Sequence, residues 1–148
     1  MKLVWLLAAS LAACSPVSGH EPVVVRRGGR LVAGSLVEVR LDDSISLRHN
    51  KPGDALRGAV TDNVVGPRGA VVIPQGSTVK LRITELGPHR IILWATELTF
   101  ENRRYVVHGR VDAPPAVVRR QHAGRDMVVP RGTRMVFPLD RALTVATR

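Results

Sequence analysis

A short signal recurs three times along this chain and constrains its fold more than any single segment does. Gly34-Ser35, Gly76-Ser77 and Gly132-Thr133 each open a stretch in which apolar residues occupy every second position. The first stretch carries Val37, Val39 and Leu41, the second Val79, Leu81 and Ile83, and the third Met135, Phe137 and Leu139. A period of two is the pattern of a half-buried β-strand, whose side chains point alternately to opposite faces. Two residues before each glycine stand Val32, Pro74 and Pro130. Proline fixes φ and ends the preceding run, and glycine then permits the positive φ that a tight turn into the next strand needs. Gly34, Pro74, Gly76, Pro130 and Gly132 are therefore predicted to be structural turn residues. The first and third copies also continue alike, through Asp42 and Asp140, Ile45 and Leu143, and Ser46 and Thr144. Self-similarity of this kind predicts structurally equivalent copies.

Further strands are predicted over Ala55 to Val65 and Ala70 to Ile73, the two separated by the turn signal Gly66-Pro67-Arg68-Gly69. Ile91 to Phe100 and Arg104 to Val111 flank Glu101-Asn102-Arg103 and read as a hairpin. Trp94 lies on a run apolar on both faces and is read as core packing. Asp112 to Asp126, with Pro114-Pro115 and Gly124, is the longest interruption and reads as an exposed loop. No stretch has the period of an amphipathic helix. Seven or more short strands without crossover helices point to an all-β fold, a small antiparallel barrel, with a two-layer sandwich as the alternative. The barrel is favoured because closure removes exposed strand edges.

The N-terminus carries a different message. Lys2 is followed by the apolar run Leu3 to Ala13, too short to span a bilayer, and Leu11-Ala12-Ala13-Cys14 is a lipobox that holds the only cysteine of the 148 residues. Residues 1–13 are expected to be a lipoprotein signal peptide. Residues 14–29, with Pro16, Gly19, Pro22 and Gly28-Gly29, are expected to be a lipidated N-terminus and tether, and 30–148 a single β domain. Acylation of Cys14 would leave no thiol, so no disulfide is expected. The predicted address is export and anchoring by lipid, at the outer membrane facing the periplasm. The chain has 22 Lys plus Arg against 12 Asp plus Glu, a net +10; removal of Lys2 leaves 21 against 12, or +9. Such an excess favours anionic partners through long-range attraction.

Gly34-Ser35 with the strand to Leu41, Ser46 with Lys51-Pro52-Gly53, Ile73-Pro74-Gln75-Gly76-Ser77, Arg90 with Trp94, and Val129-Pro130-Arg131-Gly132-Thr133 occur in a particular order. That order resembles the C-terminal β-barrel domain of TrbI-like conjugation and type IV secretion scaffold proteins over residues 30 to 145. The turns also look like those of small envelope lipoproteins with Pro-x-Gly-Ser/Thr strand starts. The resemblance implies a β-barrel and an envelope location. The chain departs from the pattern at Val32, where proline is usual, and has no apolar insert between Val111 and Val128 to build the paired helices of a pore.

Reaction chemistry is not visible. His20, His49, His89, His108 and His122 are dispersed without metal-ligand spacing, so no metal site and no cofactor are expected. Asp42-Asp43 are neighbours that point to opposite faces of a strand, and Ser44 and Ser46 sit in no nucleophile-elbow motif. No catalytic residue is assigned, and the chain is expected not to be an enzyme. Arg103, Arg104, Arg119, Arg120 and Arg125 cluster in the C-terminal half as candidate anion-binding residues, since guanidinium groups suit carboxylate or phosphate. Nucleic acid is not expected as a partner, given the export signal and the few aromatics. The expected function is a structural or assembly component of the envelope with an envelope protein partner. The alternative is a module that binds anionic envelope glycan or lipid.

Overall fold

The computed structural model describes residues 28–113, 119–121 and 126–146, and these form strands and turns only. Four strands set the architecture: β2 (Leu36–Leu41), β4 (Ala55–Val60), β7 (Thr78–Leu86) and β12 (Arg134–Pro138). Each starts directly after a four-residue turn whose third residue is a glycine at positive φ: Gly34 (87°), Gly53 (97°), Gly76 (82°) and Gly132 (85°). In all four the N–H of the fourth residue donates to the carbonyl of the first at 3.2 Å, namely Ser35 to Val32, Asp54 to Lys51, Ser77 to Pro74 and Thr133 to Pro130. Glycine at the third position is what a type II turn requires. The hydroxyls of Ser35, Ser77 and Thr133 donate to the same carbonyls at 2.7, 2.5 and 2.6 Å. Three of these turns are the predicted repeat. The fourth lacks the Gly-Ser/Thr signal because Asp54 stands in place of the hydroxyl residue; its carboxylate instead accepts from the Lys51 N–H at 3.1 Å and the Asn50 side-chain amide at 3.4 Å.

The turns also lock strands in pairs. Gly34 N–H donates to the Leu139 carbonyl at 2.7 Å and Leu139 N–H returns to Ser35 at 2.9 Å, while Gly132 and Thr133 make the matching exchange with Leu41 at 2.8 and 2.9 Å. Gly76 and Ser77 clamp Val60 in the same way, and Gly53 and Asp54 clamp Ile83. Each antiparallel pair, β2 with β12 and β4 with β7, is thus bracketed at both ends by one turn from each partner. The sheet order is β12-β2-β4-β7-β8-β9, completed by a hairpin of β8 (Ile91–Phe100) and β9 (Arg103–Asp112). Its turn residues Glu101 and Asn102 both have positive φ, 50° and 59°, as a two-residue type I′ turn demands.

The first and third copies prove equivalent beyond their turns. Strand β1 (Gly29–Leu31) precedes the Val32 turn and pairs with β13 (Leu143–Val145), which follows β12. Strand β11 (Asp126–Val129) precedes the Pro130 turn and pairs with β3 (Ile45–Ser46), which follows β2. The two segments are related by a pseudo-twofold axis through the Glu38–Val136 pair at the middle of β2 and β12. Ile45 and Leu143, matched in sequence, are both buried.

Alternation places Val37, Val39, Leu41, Leu81, Ile83, Leu93, Ala95, Met135 and Phe137 on the inner face, with Leu31, Val72, Ile73 and Val129 packed against them from the smaller sheets. The main sheet curls as a half-barrel around this core, and its two outermost strands approach each other. A Cβ at Gly109 of β9 would overlap the Phe137 ring and lie 2.8 Å from the Pro138 carbonyl, and Asp140 N–H donates to His108 at 2.8 Å. Only glycine lets the two edges come this close. The fold is all-β and barrel-like, as the repeat implied.

Three expectations need correction. Ala55 to Val65 is not one strand: the chain leaves β4 at Thr61, whose N–H donates to Glu38, and resumes as β5 (Val64–Val65), paired with β6 (Val71–Ile73). The Asp112 to Asp126 interval is not loop throughout, because β10 (Arg119–Gln121) pairs with β11. Trp94 is not in the core. It is half-buried on the outer face, where its register partners Arg82 and Arg110 are both exposed.

Candidate functional site

The predicted arginine cluster does not assemble as one surface among the described residues. Arg103 and Arg104 are consecutive in β9 and so point to opposite faces of the sheet. Arg103 shares the inner-face register of Tyr105, whose ring stacks on Phe100 with centroids 4.7 Å apart. Arg104 lies outward, 4.0 Å from Glu97. Arg119 and Arg120 have their backbone in β10, opposite Val128 and Met127. Arg125 and Cys14 lie outside the described residues.

A different set of cations is brought together by strand pairing on the outer face of the half-barrel. Residues directly opposite across an antiparallel pair share a face with neighbouring Cβ atoms. Arg134 faces Arg40, Arg57 faces Lys80, and Arg82, Trp94 and Arg110 form a row across β7, β8 and β9. Two of the arginines are offset by carboxylates: Arg134 lies 3.6 Å from Glu38, and Arg110 lies 3.2 Å from Asp112. Arg40, Arg57, Lys80 and Arg82 are exposed and have no ion pair with a carboxylate among the described residues. These positions read as ordinary solvent-facing strand residues in the sequence. Their convergence depends on register between strands, which a linear pattern does not contain.

Beside this basic area, on the pseudo-twofold axis, lies an open groove of about 390 Å³. Its floor is Leu36 and Val136 and its wall runs from Asp62 to Val65. Leu36 is 65% exposed, Val65 52% and Val136 48%, a continuous aliphatic patch on a strand face that otherwise carries charge. The wall is held in place by polar contacts. Thr61 Oγ donates to Glu38 Oε1 at 3.0 Å, and the Asn63 carbonyl oxygen Oδ1 accepts from Gln75 N–H at 2.7 Å. Sequence reading missed this groove because Val64 and Val65 were assigned to a longer strand, when they in fact turn back over β2.

Ser46 is buried beneath the Asn50 turn, where its N–H donates to Asn50 Oδ1 at 2.8 Å and its Oγ accepts from Arg48 N–H at 3.2 Å. Among the described residues no three His, Cys, Asp or Glu side chains are grouped to hold a metal ion. No protein-family model matches the sequence, and no curated protein matches it either.

Proposed function

We propose that this chain is exported, cut before Cys14, acylated there and held at the outer membrane facing the periplasm, where its half-barrel serves as a non-enzymatic structural or assembly element of the cell envelope. The observation that carries this reading is the lipobox Leu11-Ala12-Ala13-Cys14 at the end of a short apolar run. The similarity of the turn residues to secretion-scaffold barrels points the same way, and the aliphatic groove over Leu36 and Val136 offers a place for an envelope protein to dock. Cys14→Ser should release the protein from the membrane fraction and abolish incorporation of labelled fatty acid. Equal labelling of wild type and variant would end the lipoprotein reading. A photo-crosslinker at Leu36 should capture a discrete envelope protein in intact cells, and recovery of monomer and bulk lipid alone would end the assembly reading.

A second reading, an arginine-rich module for anionic envelope glycan or lipid, is favoured by the exposed cations without carboxylate partners on the outer sheet face.

A further inference from the structure

The outer face holds one feature that neither a generic basic surface nor a packed core accounts for: a half-buried tryptophan between two arginines, with a second basic pair beside it. Trp94 on β8 is opposite Arg82 on one side and Arg110 on the other. The adjacent row carries Arg57 opposite Lys80. Ala55, the register partner of Arg82, is small and exposed, so the row is not walled off at its β4 end. We propose that Arg57, Lys80, Arg82, Trp94 and Arg110 form a binding site for an acidic glycan, a chain of sugar rings carrying carboxylate or phosphate groups. This rests on the second reading above and names its ligand class and its residues.

Three features select this ligand. An aromatic face packs against the C–H face of a pyranose, whereas guanidinium groups bind carboxylate or phosphate through paired N–H donors. Neighbouring strands are about 4.8 Å apart, so Arg82 and Arg110, two strands apart, are separated by ~10 Å at the backbone. That span matches a disaccharide laid across the tryptophan. The face is also the convex side of a curled sheet. A flat bilayer would meet it along a tangent, reaching a few of these groups at a time, whereas a flexible polymer can follow the curve. Arg110 is partly offset by Asp112, and Glu97, cross-strand from Lys80, lies 4.0 Å from Arg104, so the cations of this set that make no ion pair with a carboxylate among the described residues are Arg57, Lys80 and Arg82. Thr96 and Thr99 are also half-buried members of β8, and Thr96 Oγ donates to the Lys80 carbonyl at 3.2 Å, which holds the bulged part of β8 against β7.

The test uses the full chain in detergent with polygalacturonate oligomers as the probe. Polyglutamate of equal charge and anionic phosphatidylglycerol vesicles are the comparisons. The wild type should bind the acidic sugar at low salt and lose affinity steeply as salt rises. Lys80→Ala with Arg82→Ala should weaken binding at least tenfold, and Arg103→Ala should change it less than twofold. In the mature protein cut before Cys14, where Trp94 is the one tryptophan left, the emission should shift on addition of the oligomer. Trp94→Phe should retain most affinity and Trp94→Ala lose it, with melting curves of both recorded so that unfolding is not mistaken for lost contact. Wild-type binding that survives the Lys80/Arg82 change would overturn the site while leaving a glycan-binding role elsewhere on the chain. No binding by the wild type would overturn both. Equal affinity for polyglutamate, or preference for the vesicles, would overturn the sugar assignment.

Discussion

The pairs β2·β12 and β4·β7 use the same turns and the same reciprocal backbone clamps, yet their surroundings differ. Around β2·β12 both flanking strands are exchanged, β1 with β13 and β3 with β11, which gives a full pseudo-twofold unit. Around β4·β7 only one exchange forms, β5 with β6. The residue just before the turn explains the difference. It is Leu31, Ile73 and Val129 in three copies, all buried, and Asn50 in the fourth. A buried aliphatic residue there draws its segment into the core as a strand. Asn50 turns its amide to local backbone and to Asp54 instead, so Arg48 to Asn50 stay out of the sheets. The turn starts the next strand, and the residue ahead of it decides whether a strand comes before.

Six substitutions test that contrast, each read from the denaturation midpoint of the full chain. Leu31→Ala and Ile73→Ala empty fully buried positions and should each cost about 2–5 kcal/mol. A loss under about 1 kcal/mol would show that the flanking strands are incidental to the fold. Gly34→Val and Gly132→Val should cost about 1–3 kcal/mol, equally in the two copies, because a branched side chain is strained at positive φ. A Cβ at either position meets no atom within 4 Å, so the penalty would be backbone strain alone. Variants that melt with the wild type would refute the turn argument. Asn50→Ala removes the acceptor for Ser46 N–H and should cost about 1–2 kcal/mol. A larger loss would mean that the irregular fourth copy carries as much of the fold as the regular ones. Arg103→Ala, at an exposed strand start, should stay within about 0.5 kcal/mol, and a clear drop in midpoint would reveal packing against the Phe100–Tyr105 stack.

Periodicity made the inner face legible: Val37, Val39, Leu41, Val79, Leu81, Ile83, Met135 and Phe137 were placed correctly because a two-residue period has one face to bury. The Gly34, Gly76 and Gly132 turns were legible because positive φ leaves a compositional trace. Trp94 misled because Ile91 to Leu93 supply apolar residues on both sides of β8, and Ile92 is itself buried although it shares the tryptophan's outer face. The outer basic row and the groove were hidden for a different reason. Arg82 and Arg110 become neighbours of Trp94 through two strand pairings with register shifts at Lys80/Leu81 and Ala95/Glu97. Bulges of this kind reset which residues meet, and nothing in the local sequence announces them.

The pairing of Gly29 with Val145 has a kinetic consequence. Strand β1, the first described, finds its partner in β13, the last described, and β3 likewise waits for β11. Contacts so distant along the chain slow folding, since the loop between them must be closed before any bond in the pair is formed. The segment from β4 to β9 is joined by consecutive hairpins and pairings and can organise early, leaving the pseudo-twofold unit to assemble once β11 to β13 are available. A truncation that removes β13 would therefore strand both ends, leaving β1 without its partner, and a ribosome-bound chain would hold its middle strands while its first strand stayed exposed.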